Sequence, residues 1–115
     1  MLCHRNELRT EAREKARGGN GTVNFLHLVE GKRVQKNTNM LAELTLPPGA
    51  SIGPHSHTDE TEFFVILKGN GTVNDNGTEK PITEGDVMIT VSGETHSIAN
   101  TGNVPLVLHA VIVQN

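Results

Sequence analysis

The chain has 115 residues, a net charge of −3 and no extended basic run, so nucleic acid is not expected to be its main partner. Aromatic residues make up only 3%, with no Trp or Tyr, so the stacking surfaces that bind single-stranded nucleic acids are missing. No apolar stretch is long enough to span a membrane and the N-terminus has no secretory hydrophobic core, so we expect one soluble, cytoplasmic domain.

The N-terminal segment, residues 1–21, is expected to be an arm or a short helix that precedes the main domain at residues 22–115. Residues 6–17 are rich in charged helix formers, and the pair Gly18 and Gly19 would end a helix there. This stretch has no apolar stripe, so a mobile arm is the alternative to a short helix.

From residue 22 onward, short runs rich in β-branched residues alternate with Gly, Pro and Asn. The pair Asn76 and Gly77, which follows Asp75, predicts a tight hairpin turn. Many short strands with such turns predict an all-β sandwich or barrel. The predicted strands cover residues 22–30, 40–46, 62–68, 72–74, 86–91, 95–100 and 104–113.

Two of the predicted strands are apolar at nearly every position, namely residues 63–67 and 104–113. A strand with one face in water should alternate between apolar and polar residues, so both faces of these strands are expected to be buried. One face can line the interior of a barrel. The other face then needs a second subunit, or the N-terminal arm of a monomer, to cover it.

The most specific pattern is a pair of histidine motifs bounded by glycines. Residues 49–69 match G-x5-H-x-H-x4-E-x6-G, and residues 85–100 match G-x5-V-x-G-x2-H-x3-N. The first two histidines are two residues apart, so on an extended strand their side chains share a face. Three imidazoles and one carboxylate, brought together, form a ligand set for a divalent transition metal. The candidate ligands are His55, His57, Glu62 and His96.

Together the two motifs resemble the signature of the cupin superfamily, in its small single-domain form and close to its oxalate-decarboxylase-like members. The first motif is complete, and the second departs only at Val91, where the pattern usually has proline. The resemblance implies a double-stranded β-helix, also called a jelly-roll or cupin barrel, with a short N-terminal helix or arm. It also implies a homodimer, because small cupins are commonly dimers.

The mixed nitrogen and oxygen ligands favour one Mn²⁺, Fe²⁺, Ni²⁺ or Zn²⁺ ion per chain. Four protein ligands on an octahedral ion leave two positions open, which suit a bidentate oxygen ligand such as oxalate, a 2-oxo acid or a diol. Phe64 and Ile66 should share a strand face with Glu62, so we expect them to form an apolar floor of the pocket.

The resemblance does not select one function, because cupins with this ligand set include decarboxylases, dioxygenases, isomerases and binding modules. We predict a metalloenzyme acting on a small oxygen-rich acid or diol, and the alternative is a non-catalytic, metal-dependent binding or sensing module.

Three residues are candidates for an acid or base in catalysis. They are His27 and His109, otherwise satisfied barrel histidines, and Glu60, otherwise a solvated loop charge. Arg17 has two interpretations. It reaches an anionic substrate if the arm folds over the barrel mouth, and otherwise it lies on the surface at the end of a helix.

Overall fold

The structure, a computed structural model, describes residues 1–30 and 36–115, and these residues form ten strands. In chain order the strands are β1 (Arg9–Glu14), β2 (Thr22–Val29), β3 (Thr38–Leu46), β4 (Ser51–Ser56), β5 (Glu60–Lys68), β6 (Asn70–Asp75), β7 (Thr78–Thr83), β8 (Val87–Thr90), β9 (Thr95–Ala99) and β10 (Leu106–Gln114). The remaining regular elements in these two ranges are short 3₁₀ turns, and no described helix is long and apolar enough to cross a membrane.

The strands form two antiparallel sheets whose inner faces share one apolar core. The six-stranded sheet has the order β1-β2-β3-β10-β5-β8, and the four-stranded sheet has the order β4-β9-β6-β7. Phe64 and Leu108 from the first sheet and Val73 and Ile98 from the second belong to the same buried cluster. The predicted all-β barrel is therefore confirmed, and its interior is filled by side chains from alternate positions of both sheets.

The apolar strands are buried on one face only within a single chain. On β10, Leu106, Leu108 and Ala110 are fully buried, whereas the residues between them are partly exposed. On β5 and β8 the same alternation leaves Leu67, Val87 and Ile89 exposed to 40–56%. We call the solvent-facing side of the six-stranded sheet the outer face. Its apolar residues include Phe63, Val65, Leu67, Val87, Ile89, Val107 and Val111.

The helix predicted at residues 6–17 is wrong, because Arg9–Glu14 forms strand β1 and pairs with β2. A charged helix without an apolar stripe has little surface to bury, whereas β1 pairs with β2 along its whole length at the sheet edge. Its side chains also find partners on β2. His27 Nε2 lies 2.8 Å from Glu11 Oε1, and the guanidinium of Arg13 lies 4.0 Å from the centre of the Phe25 ring.

The seven strands predicted from the sequence are present, with boundaries that shift by a few residues. Asn76 and Gly77 have φ angles of 51° and 99°, as the predicted primed hairpin turn requires. β4 and β7 were not predicted. β4 contains Gly53 and Pro54, and β7 contains Pro81, residue types that interrupt the usual strand pattern.

Candidate metal centre

The two sheets bring the four candidate ligands to one end of the barrel interior. His55 lies on β4, and His57 follows directly after that strand. His96 lies on β9, where it is paired in register with His55. Glu62 reaches the same place from β5 of the other sheet, and it shares the inner face with Phe64. Residues from three strands and one strand end thus meet between the sheets.

The donor atoms of these four side chains lie within 4.8 Å of one another. Glu62 Oε1 is 2.9 Å from His96 Nε2 and 3.0 Å from His57 Nε2, and the Nε2 atoms of His96 and His55 are 3.1 Å apart. An ion bound at about 2.0–2.2 Å from its ligands holds adjacent donors roughly 3 Å apart. The cluster therefore has the right size and donor types to hold a single metal ion.

The ring orientation of His55 and His96 is fixed by partners on the side of the ring away from the cluster. The Nδ1 atom of His55 lies 2.8 Å from the carbonyl oxygen of Gly53, to which it donates. His96 Nδ1 lies 2.9 Å from the hydroxyl oxygen of Thr90. With Nδ1 engaged, Nε2 of each ring faces the cluster, which is how metal-binding histidines are commonly held. Nothing in the sequence singled out Thr90 for this role.

Glu60 orients the ring of His57 in the same way. Its Oε1 atom is 3.1 Å from His57 Nδ1, and its other carboxylate oxygen accepts a hydrogen bond from the Asn39 amide. Glu60 therefore touches the ring edge that faces away from the cluster. The structure gives this candidate acid or base a positioning role on His57.

Burial shapes the electrostatics of the cluster. Glu62 and His96 are 4% and 1% exposed, and the Phe64 ring stacks on His96 with centroids 4.9 Å apart. A carboxylate in such a place requires positive charge nearby, and a bound divalent ion would supply it. Burial is also the main reason why the pKa of His55 is lowered, and the nearby His96 and Arg17 lower it further. The lowered pKa favours the neutral imidazole, which is the form that binds a metal.

A cavity of about 110 Å³ opens beside the cluster and leads to solvent. Phe64 lines this cavity as predicted, whereas Ile66 lies deeper in the core and does not reach it. Most of the residues that line the cavity are apolar, and Arg13 and Arg17 bring positive charge to it. Its lining residues are Arg13, Ala16, Arg17, Phe25, Met40, Leu44, Ile52, His55, His57, Glu62, Phe64 and Ile112.

The two other candidate catalytic residues lie outside this cavity. His27 is buried on β2, where it stacks against Phe25 and contacts Glu11. His109 lies between the fully buried Leu108 and Ala110 on β10, so its side chain points to the outer face. Neither histidine is brought to the four-residue cluster.

Comparisons with known proteins agree with this geometry. An oxalate-binding protein of Thermotoga maritima is 42% identical over 113 residues, which cover 98% of this chain and 93% of that protein. A solved structure described as a predicted oxalate decarboxylase from Thermotoga maritima superposes with a TM-score of 0.94 at 42% identity, covering 100% of both chains.

A more distant structure, the cupin domain of Cnp3 from Schizosaccharomyces pombe, has a TM-score of 0.73 at 19% identity and covers 91% of this chain and 69% of its own. That likeness shows the fold alone. The family model for the cupin domain matches residues 42–112, from the third strand to the tenth. Matched by this model over most of its length, the chain belongs to the cupin domain family.

Proposed function

We propose that this protein binds oxalate, or an equally small dicarboxylate, at a divalent metal ion held by His55, His57, Glu62 and His96. The observation that carries the proposal is the convergence of three Nε2 atoms and one carboxylate oxygen beside a cavity open to solvent. Bound there, the ion supplies a Lewis acid with open positions for ligand oxygens. Mixed nitrogen and oxygen donors without thiolate favour Mn²⁺, Fe²⁺, Ni²⁺ or Zn²⁺.

The size and wall of the cavity support a small ligand. A volume of about 110 Å³ is well below the roughly 300–1,000 Å³ of pockets for drug-sized molecules. The apolar wall limits the water around the cluster, which strengthens the attraction between the bound cation and an anionic ligand. The oxalate-binding relative from Thermotoga maritima supports the same ligand class.

The choice between binding and turnover depends on proton delivery. Decarboxylation of oxalate to formate needs a proton at the carbon that remains after CO₂ leaves. Among the described residues that line the cavity, the ionisable side chains are the two arginines Arg13 and Arg17 and three members of the cluster. Since Glu60 is engaged with His57, we favour binding over turnover. A metalloenzyme of the decarboxylase, dioxygenase or isomerase type is the second candidate, and the open cavity beside the cluster supports it.

Calorimetric titration of oxalate into protein loaded with one equivalent of metal tests the proposal. We expect saturable binding of one oxalate per chain, and no such heat with protein freed of metal by a chelator. Elemental analysis after the titration must show that oxalate has not removed the metal. Loaded protein that binds no oxalate would refute the proposal. Release of formate or CO₂, measured under air and under argon, would establish turnover instead.

We also propose that two copies associate through the outer face. Val87 and Ile89 are 56% and 55% exposed on the edge strand β8, and Leu67 on the neighbouring β5 is also exposed. Contiguous exposed apolar surface of this kind is typical of subunit contacts. A homodimer would cover it, with a total interface above about 1,000 Å².

Light scattering at micromolar concentration should report a dimer. Ile89→Lys should shift the protein toward monomer and leave metal content unchanged, because the outer face does not reach the cluster. A wild-type protein that is monomeric under these conditions would contradict the association.

A further inference from the structure

The backbone around Arg17 is held in an unusual conformation. Arg17 has φ 53° and ψ 33°, and Lys15 and Gly18 also have positive φ angles, of 51° and 78°. A left-handed conformation is strained for a non-glycine residue, because its Cβ crowds the backbone. Such strain persists only where the surrounding structure enforces it, and it is concentrated at functional sites. The strain in the turn at Ala16–Gly18 therefore indicates a functional role for this turn.

Strand β4 enforces this turn through close backbone contact. A Cβ atom at Gly53 would lie 2.2 Å from the carbonyl oxygen of Arg17, so only glycine permits the approach. Two hydrogen bonds fasten the turn next to this point. Ser51 N donates to the Asn20 carbonyl at 2.9 Å, and Asn20 N donates to the Ser51 hydroxyl at 2.9 Å. β4 also carries His55, so the turn has a fixed position relative to the four-residue cluster.

The two arginines of the cavity differ in how their charge is balanced. Arg13 donates to both carboxylate oxygens of Glu11, at 2.9 and 3.2 Å. Arg13, with help from His27, lowers the pKa of Glu11 to about 2, so this carboxylate stays ionised and neutralises Arg13. Arg17 forms no ion pair with any residue that the structure describes. Its exposed side chain lines the same cavity as His55 and His57.

We infer that Arg17 is a specificity-determining residue for a dicarboxylate bound in the cavity. Two oxygens of that ligand face the four-residue cluster, and Arg17 binds the carboxylate oxygens on the side away from it. This inference rests on the proposed function. Oxalate that binds through one oxygen of each carboxylate presents its two remaining oxygens side by side on the opposite edge. A guanidinium offers two parallel N–H groups that match such a pair. The protein thereby distinguishes an oxalate-type dianion from a monocarboxylate.

Calorimetric titration of metal-loaded variants tests this inference. Hydrogen bonds between charged groups correspond to about 10–100-fold in affinity, and the exposure of Arg17 places the expected loss near the lower end. Arg17→Ala should weaken oxalate binding about tenfold, while acetate binding changes less than about twofold. Arg17→Lys should recover only part of the loss, because it retains the charge but not the paired donors.

Arg5→Ala is the matched control, because this arginine is paired with Glu43 and lies outside the cavity, and the change should alter oxalate affinity by less than about twofold. Metal content and thermal unfolding are measured for each variant, so that a loss of metal or of fold is recognised. If wild-type protein binds oxalate and Arg17→Ala binds it equally well, Arg17 is a surface residue and the inference is overturned. Absence of oxalate binding in wild-type protein would instead refute the proposed function.

Discussion

Replacing His96 with alanine is expected to abolish stoichiometric metal binding while the barrel remains folded. His96 Nε2 lies 2.9 Å from Glu62 Oε1 and 3.1 Å from His55 Nε2. Replacing His96 therefore removes the metal-ligand atom that lies next to two of the other three. Changes to partners that merely orient a ligand cost about 10–100-fold in metal affinity, and loss of the ligand itself should cost at least about 100-fold. Competition with a chromogenic chelator measures this affinity.

The fold of the His96→Ala protein is checked by circular dichroism, because this side chain is fully buried against Phe64. His57→Ala, at the end of β4, provides a second ligand variant that should lose metal with less effect on packing. His109→Ala on the outer face is the control, and it should bind metal as the wild type does. If the His96 and His57 variants bind metal as tightly as the wild type does, the assignment of the cluster is contradicted.

Replacing Gly53 with alanine should destabilise the protein and weaken oxalate binding together. The added methyl group would lie 2.2 Å from the carbonyl oxygen of Arg17, which is backbone and cannot rotate away. Overpacking of this kind costs about 1–3 kcal/mol, and it would push the turn away from β4. We expect a lower denaturation midpoint and about a tenfold loss of oxalate affinity, because Arg17 moves away from the cavity.

Gly85→Ala separates this effect from the general cost of replacing a glycine. Gly85 has φ +89° and open space around its Cβ position, so its replacement strains the backbone without a clash. We expect a loss of about 1–2 kcal/mol in stability and unchanged oxalate affinity. If both variants lose stability but neither loses oxalate affinity, contact between the turn and β4 does not position the binding residues.

The sequence predicted the members of the cluster because their spacing reflects neighbouring strands. His55 and His57 sit two residues apart at the end of β4, and Glu62 follows on the next strand with the inward orientation of Phe64. His96 lies opposite His55 on β9. The sequence identified His96 as a ligand only through its place in the second motif. The predicted barrel rested on the same information, namely short β-branched runs and turn residues.

The N-terminal segment could not be predicted in this way. Its composition favours a helix locally, whereas the pairing of Arg9–Glu14 with β2 is a long-range contact that overrides local propensity. The position of Arg17 depends on that pairing and on the fit of glycine at position 53, which no local pattern reveals. The positioning roles of Thr90 and Glu60 likewise come from side chains that meet only in the folded chain.

The most direct test is an anomalous-difference map from crystals of metal-loaded protein grown with oxalate. We expect one peak per chain, about 2.0–2.2 Å from the Nε2 atoms of His55, His57 and His96 and from a carboxylate oxygen of Glu62. Oxalate density should lie between that peak and the Arg17 side chain. A map without a peak among these four side chains, or with metal bound elsewhere in the protein, would contradict it.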